Sequence, residues 1–317
     1  MNELALAVFA SETGTHLVKT PSSAQWFGHL RRFDASRYAE RLATQGFAFV
    51  GRTSGDFPAL LRSIHDPPPG LFLRGSARAE LLARPAVAVV GARACSGYGA
   101  SVARRLGREL AQAGLVVVSG MARGVDAEAH RGALEAGGPT VAVLGCGIDR
   151  DYPAAHAQLA RHIAESGLIV SEYAPGVEPA PWRFPARNRI VAGLCAATVV
   201  VEARERSGAL ITADLALEEG REVFAVPGEI GSAHSVGTNG LLKLGAAPLT
   251  GAADVLSSFG LEQARADVDD RLLGLLPATA DELVRRTGMS AAEVARALVE
   301  LELAGAASPH DGVYRVV

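Results

Sequence analysis

The stretch PAVAVVGARACSGYG, residues 85–99, decides the fold. Residues 87–90 (VAVV) have the apolar, β-branched density of a strand buried on both faces. The run breaks at Gly91 into a loop carrying Arg93, Ser96, Gly97, Tyr98 and Gly99. That loop feeds ASVARRLGRELAQAG, residues 100–114, where Val102, Ala103, Leu106 and Leu110 recur at helical spacing up to a terminating Gly114. A strand, a glycine-rich turn and a helix start together make an anion site, because free backbone N–H groups and the positive end of the helix dipole face the loop. The stretch departs from a dinucleotide fingerprint at the third position, where arginine replaces glycine.

The same pattern repeats outward from this stretch. Apolar strands recur at 115–118, 141–144, 168–170, 198–201 and 223–226. Helical segments at 125–136, 154–165, 187–194 and 209–219 separate them. Alternating βα units with continuously apolar strands predict an α/β fold, an extended Rossmann-like, doubly wound parallel sheet over residues 85–250. Its ligands should bind beyond the carboxyl ends of the strands, near the point where strand order reverses. Residues 1–84 read as an N-terminal extension, with a helix at 33–46, a strand at 47–51 and a rigid connector, HDPPPGLFLRG, at 65–75. Residues 251–267 turn polar and read as a linker. Residues 268–317 suggest a winged-helix-like domain: Thr279/Glu282 and Ser290/Glu293 have capping-box spacing, Gly288 suits the turn between two helices, and 305–317 suits a hairpin wing.

Composition narrows the chemistry. Among 317 residues, 49% are hydrophobic and the net charge is −3, so nucleic acid would need a local basic patch. Lysine occurs only at Lys19 and Lys243, leaving 29 arginines, so any anion site must be built from guanidinium groups and backbone amides. Cys95, Cys146 and Cys195 are widely spaced and fit small core residues rather than a disulfide framework or zinc site. The start, MNELALAVFA, lacks a basic n-region, and no apolar run approaches ~18 residues, so a cytoplasmic protein without membrane contact is expected.

The strand ends carry the candidate chemistry. In SGMARGVDAEAH (119–130), Ser119 and Gly120 end a strand, Gly120 and Gly124 allow close backbone approach, and Arg123 offers a bidentate phosphate donor. Asp126 suits a helix cap or the site itself, and His130 suits core or surface. In WRFPARNRIVAGL (182–194), Arg183, Arg187 and Arg189 interleave with Trp182 and Phe184. That mixture fits a single-strand site of guanidinium groups and ring faces, or equally core plugs beside a solvated helix face. Ser207 and Gly208 stand where an N-cap and helix start are expected, and Glu202 suits an ion pair or a substrate contact. The second strand end lacks a ribose-binding acid, and no GxxxxGK[ST], GxSxG, SxxK or HExxH motif occurs, so neither a cofactor nor catalysis is expected.

With these segments in place, the chain closely resembles the DNA-processing protein A (DprA/Smf) family. The resemblance rests on eight co-linear blocks, GARACSGYG, SGMARGVDAEAH, LGCGIDRDYP, SEYAPG, FPARNRIVAGL, VVEARERSGALITA, VFAVPG and GTNGLL followed by Gly245 and Ala246, spanning about residues 58–247. It implies a Rossmann-like, non-catalytic, single-stranded DNA-binding protein that protects incoming DNA and helps load the RecA recombinase, usually as a homodimer. It implies Arg93 as the phosphate-binding arginine, with Gly91, Ser96, Gly97, Tyr98 and Gly99 around it. Ser119, Gly120, Arg123 and Gly124, then Arg187, Asn188 and Arg189, would complete the rim, with Ser207 and Gly208 at the next strand end. Trp182, Arg183 and Phe184 match the loop that supplies a basic and a base-stacking residue.

Two regions depart from the family. Residues 1–46 show no GxG hairpin of a helix-hairpin-helix module, and residues 268–317 hold five basic against eight acidic residues. The second helix of that domain offers Arg296 against Glu293, Glu300 and Glu302, which suits a protein-interaction or regulatory module better than a duplex. The alternative is a Rossmann-like nucleotide phosphoribohydrolase of the lysine decarboxylase-like kind, using Glu172 or Glu202. Its PGGxGT loop is matched by VPGEIGSAH (226–234) only at the start.

Overall fold

The computed structural model describes residues 3–14, 21–261, 270–303, 306–310 and 312–316. The first of two units, Met1–Glu262, is built on one nine-stranded sheet. Its strands are β1 (Phe47–Gly51), β2 (Gly70–Arg74), β3 (Ala86–Val90), β4 (Val116–Ser119), β5 (Thr140–Leu144), β6 (Leu168–Ser171), β7 (Ala197–Val200), β8 (Glu222–Ala225) and β9 (Ala247–Pro248). Their order is β1-β2-β6-β5-β4-β3-β7-β8-β9, with every pair from β6 through β9 parallel. From β3 the chain winds first toward β6 and then, through β7, toward β9. This is the doubly wound α/β sheet that the apolar strands predict, and its switch point lies between β3 and β7.

The strands are apolar throughout because helices cover both faces. Val87 and Val89 pack with Val102, Leu106 and Leu110 of the helix Gly97–Gln112. Ala88 and Val90 pack on the opposite side with Ile190 and Val191 of the helix Arg183–Gly193. Residue alternation along one strand thus serves two cores.

The sheet reaches beyond the expected boundary at residue 85. The connector 65–75 instead delivers a strand: Leu71, Phe72 and Leu73 are buried, and β2 pairs antiparallel with both β1 and β6. The prolines at 67–69 end before the strand begins, so they aim it without interrupting its ladder. At the other edge, residues expected as linker form the helix Ala252–Ser258, whose Ala252, Val255 and Leu256 join the core around Leu110. Most of the remaining expected linker, 262–267, lies outside the described residues.

The second unit, Gln263–Val317, carries the helices Asp270–Leu273, Ala280–Thr287 and Ala291–Leu303 and the strands β10 (Ala278–Thr279), β11 (Ala307–His310) and β12 (Val313–Val316). Both capping boxes form: Thr279 N–H donates to Glu282 (2.8 Å) and Ser290 N–H to Glu293 (2.8 Å). Gly288 ends the first of the capped helices at φ +72°, a left-handed conformation that costs glycine nothing. The β11–β12 hairpin completes the winged helix; Gly305 lies outside the described residues.

His130 proves to be a core residue. Its Nδ1 lies 2.7 Å from Thr140 Oγ1, which itself donates to the Val117 carbonyl at 2.6 Å, so the imidazole N–H is the donor. Burial, reinforced by the positive Arg187, pushes its pKa from 6.5 down to about 3. The unfolded chain therefore takes up this proton near pH 6.5 and the folded chain does not. Stability should fall as pH drops from about 6.5 toward 3, by up to ~1.4 kcal/mol per pH unit for this one proton. Urea unfolding across that range should show His130→Gln losing part of the dependence.

Candidate nucleic-acid interface

Two adjoining clefts open at the carboxyl ends of the central strands. The larger, about 340 Å³, lies at the switch point, against Gly91, Arg93, Gly120, Arg204, Arg206 and Gly208. The smaller, about 190 Å³, lies past β5, against Arg123, Gly145, Cys146, Tyr152 and Pro153. Arg93, Gly120, Phe184 and Arg187 line both. The Arg93 guanidinium sits 5.4 Å from the centroid of the Phe184 ring, and Phe184 stacks on Tyr152 at 5.1 Å and 23°. The wall between the clefts is therefore a cation over an aromatic pair.

Four arginines, Arg93, Arg123, Arg204 and Arg206, are exposed around these clefts, and none has a carboxylate partner within ion-pair distance among the described residues. Arg204 and Arg206 were not singled out from the sequence. Their signal was the position of VEARERSGA directly after β7, which the switch point places beside β3.

The close approaches are glycine-dependent at two points. A Cβ on Gly120 would meet the Arg187 guanidinium at 2.4 Å. Gly124 adopts φ +77°, and a Cβ there would lie 2.3 Å from the Ala92 carbonyl. Asp126 is no helix cap: it accepts from the Gly120 N–H (3.2 Å) and the Ala122 N–H (3.3 Å), bracing the loop after β4 from within. Its burial pushes the carboxyl pKa up, and Arg187 opposes that shift.

Several residues expected on the rim stand elsewhere. Arg187 is buried beneath the clefts, where Nη1 donates to the carbonyls of Gly120 (2.8 Å) and Val143; burial lowers its pKa, with Asp126 as the main counterweight. Arg189 points to the opposite side of its helix and pairs with Glu172 (2.7 Å) and Asp66 (3.0 Å). Asn188 does line the larger cleft, where its Nδ2 donates to the Gly208 carbonyl at 3.1 Å. Ser207 lines it too, and caps the helix Gly208–Glu218 by accepting from Ala209 N–H. Arg183 lies outside both clefts, over the rings of Trp182 (4.8 Å) and Tyr173 (5.2 Å), and donates to the Glu178 carbonyl. Trp182 is 45% exposed beside it. Ser119 is buried and donates to the Val89 carbonyl.

The loop that decides the fold holds an anion already, and it is internal. Ser96 caps the helix Gly97–Gln112 by accepting from Gly99 N–H, while Ser96 N–H (2.8 Å) and Oγ (2.5 Å) both donate to Glu202. Ser96 and Gly99 thus face a carboxylate rather than either cleft, and Gly97 and Tyr98 are exposed on the first turn of the helix. Among the described residues no group of three His, Cys, Asp or Glu is placed to hold a metal ion, and no helix is long and apolar enough to cross a membrane.

Comparison with known proteins gives the family of the chain. The chain matches the family described as DNA recombination-mediator protein A over residues 48–260, and the DprA winged helix domain over 257–313. It is 47% identical over 203 residues to the DNA processing protein DprA of Streptococcus pneumoniae, covering 64% of this chain and 71% of that one. It is 40% identical over 270 residues to Protein Smf of Escherichia coli, covering 78% and 72%. The X-ray structure of the S. pneumoniae protein superposes with a TM-score of 0.69 at 38% identity, over 81% of this chain and 93% of that one. A Helicobacter pylori DNA processing protein A, solved for its single-stranded DNA binding mode, superposes with a TM-score of 0.61 at 32% identity, over 67% and 95%.

Proposed function

The chain belongs to the DNA recombination-mediator protein A family, the DprA/Smf proteins, and from that premise we propose that it binds single-stranded DNA across the two clefts, protects it and helps to load RecA in transformation and recombination. One observation carries the DNA contact: four exposed arginines without carboxylate partners among the described residues surround an aromatic pair at the switch point. Guanidinium groups hold successive phosphates, and Phe184 offers its ring to an unstacked base. Binding of this kind is largely independent of sequence and weakens with salt. No bond needs to be broken. Glu172 and Glu202, the carboxylates that a nucleotide hydrolase would use, are engaged with Arg189 and with Ser96.

Phe184→Ala tests the stacking role. Loss of one base–aromatic stack should cost ~1–3 kcal/mol, about 5- to 150-fold in oligo-dT affinity, with the salt slope unchanged because no charge is lost. An unaltered affinity in a folded variant would place the base elsewhere.

The homodimer implied by the family has support in exposed apolar side chains on the segments after β7 and β8. Ile230 is 96% exposed, Leu244 83% and Leu217 51%, and all three follow β7 or β8. Apolar side chains this exposed suit a self-complementary contact. Leu244→Glu is expected to shift the mass found by light scattering from two chains to one; an unchanged mass would remove Leu244 from the interface.

A further inference from the structure

Glu202 is a buried carboxylate, 4% exposed, at the end of β7, with no arginine within ion-pair distance among the described residues. Its partners are Ser96 N–H at 2.8 Å and Ser96 Oγ at 2.5 Å, at the start of the helix Gly97–Gln112. A Cβ on Gly99, in the first turn of that helix, would lie 2.4 Å from the Glu202 carboxyl carbon. Its own carbonyl accepts from Ala92 N–H at 2.7 Å. One residue therefore grips both ends of the loop 92–96, through its backbone at Ala92 and its carboxylate at Ser96. Between those two anchors stands Arg93.

In a nucleotide-binding βα turn the helix start receives the ligand's phosphate. Here an internal carboxylate takes that place, supplying the negative charge that the helix dipole favours. We propose that Glu202 is the specificity-determining residue of the cleft: it fills the phosphate seat of the fold, so that a free nucleotide finds none, and holds the Arg93 loop toward a polymer. The part concerning the polymer rests on the DNA-binding reading above; the filled phosphate seat does not. His234 Nδ1 also lies 3.7 Å from the carboxylate.

The test compares the full-length wild type, Glu202→Ala and Glu202→Gln, each titrated with inorganic pyrophosphate and with labelled oligo-dT, and each checked for its fold by circular dichroism. Glu202→Ala is expected to bind pyrophosphate at least tenfold more tightly than wild type and oligo-dT at least tenfold more weakly. Glu202→Gln keeps an acceptor for Ser96 N–H and loses the charge. It should recover oligo-dT affinity to within threefold of wild type, and bind pyrophosphate at least threefold more tightly than wild type. No gain in pyrophosphate affinity, or no loss of oligo-dT affinity, in folded Glu202→Ala overturns the proposal. If that variant does not fold, Glu202→Gln decides, and its failure to gain pyrophosphate affinity overturns it. Absence of oligo-dT binding by wild type would strike the DNA reading alone, since the pyrophosphate comparison is read independently.

Discussion

Arg93→Ala should weaken oligo-dT binding by about 10- to 150-fold, the ~1.5–3 kcal/mol of a hydrogen bond to a charged partner. The side chain is exposed, lies over the Phe184 ring, and borders both clefts. Its removal leaves no buried group without a partner, so the thermal midpoint should move by no more than ~1–2 °C. Loss of one phosphate contact should also reduce the salt slope by about 0.7. Equilibrium titration at two salt concentrations, with a thermal melt of the same sample, reads all three quantities. An unchanged affinity would contradict the placement of the strand across Arg93.

Arg189→Ala should do the reverse. The Arg189 side chain is 10% exposed and bridges Glu172, 8% exposed, to Asp66, 28% exposed. Both contacts raise its pKa against the desolvation that burial imposes. Removing it strands a buried carboxylate between the end of β6 and the segment before β2. Breaking a buried pair in this way costs ~3–5 kcal/mol, which should lower the urea midpoint sharply. Oligo-dT affinity of the protein that remains folded should stay within about threefold of wild type, since no side chain on the clefts is lost. A variant of normal stability and weakened binding would return Arg189 to the rim.

Arg187 and Arg189 were expected on one rim, and the helix separates them. Residues 187 and 189 are two positions apart on the helix Arg183–Gly193, about 200° around its axis, so they cannot face the same cleft. Phe184 and Arg187, three apart, share a face and line both clefts. Periodicity inside ARNR therefore held the correction, whereas the family resemblance implied one continuous rim.

Other features depend on contacts between distant segments and leave little local trace. Glu202 reaches Ser96 across 106 positions, so nothing in GARACSGYG reveals that its helix start is already occupied. Arg204 and Arg206 become neighbours of Arg93 only because β7 pairs with β3. The six central strands were legible because both of their faces are buried, which leaves unbroken apolar runs. β2 was obscured by the three prolines before it, and β9 spans only two residues. The winged helix was legible from its caps, since each box writes its own four-residue signature.

The most direct measurement is the affinity of the wild-type chain for labelled oligo-dT between about 50 and 200 mM salt. With the four exposed arginines on phosphates, log K should fall against log salt with a slope of about −2 to −3. Saturable binding with that slope is the predicted result. Absence of saturable binding, or an affinity indifferent to salt, would contradict a DNA strand held by guanidinium groups at the switch point.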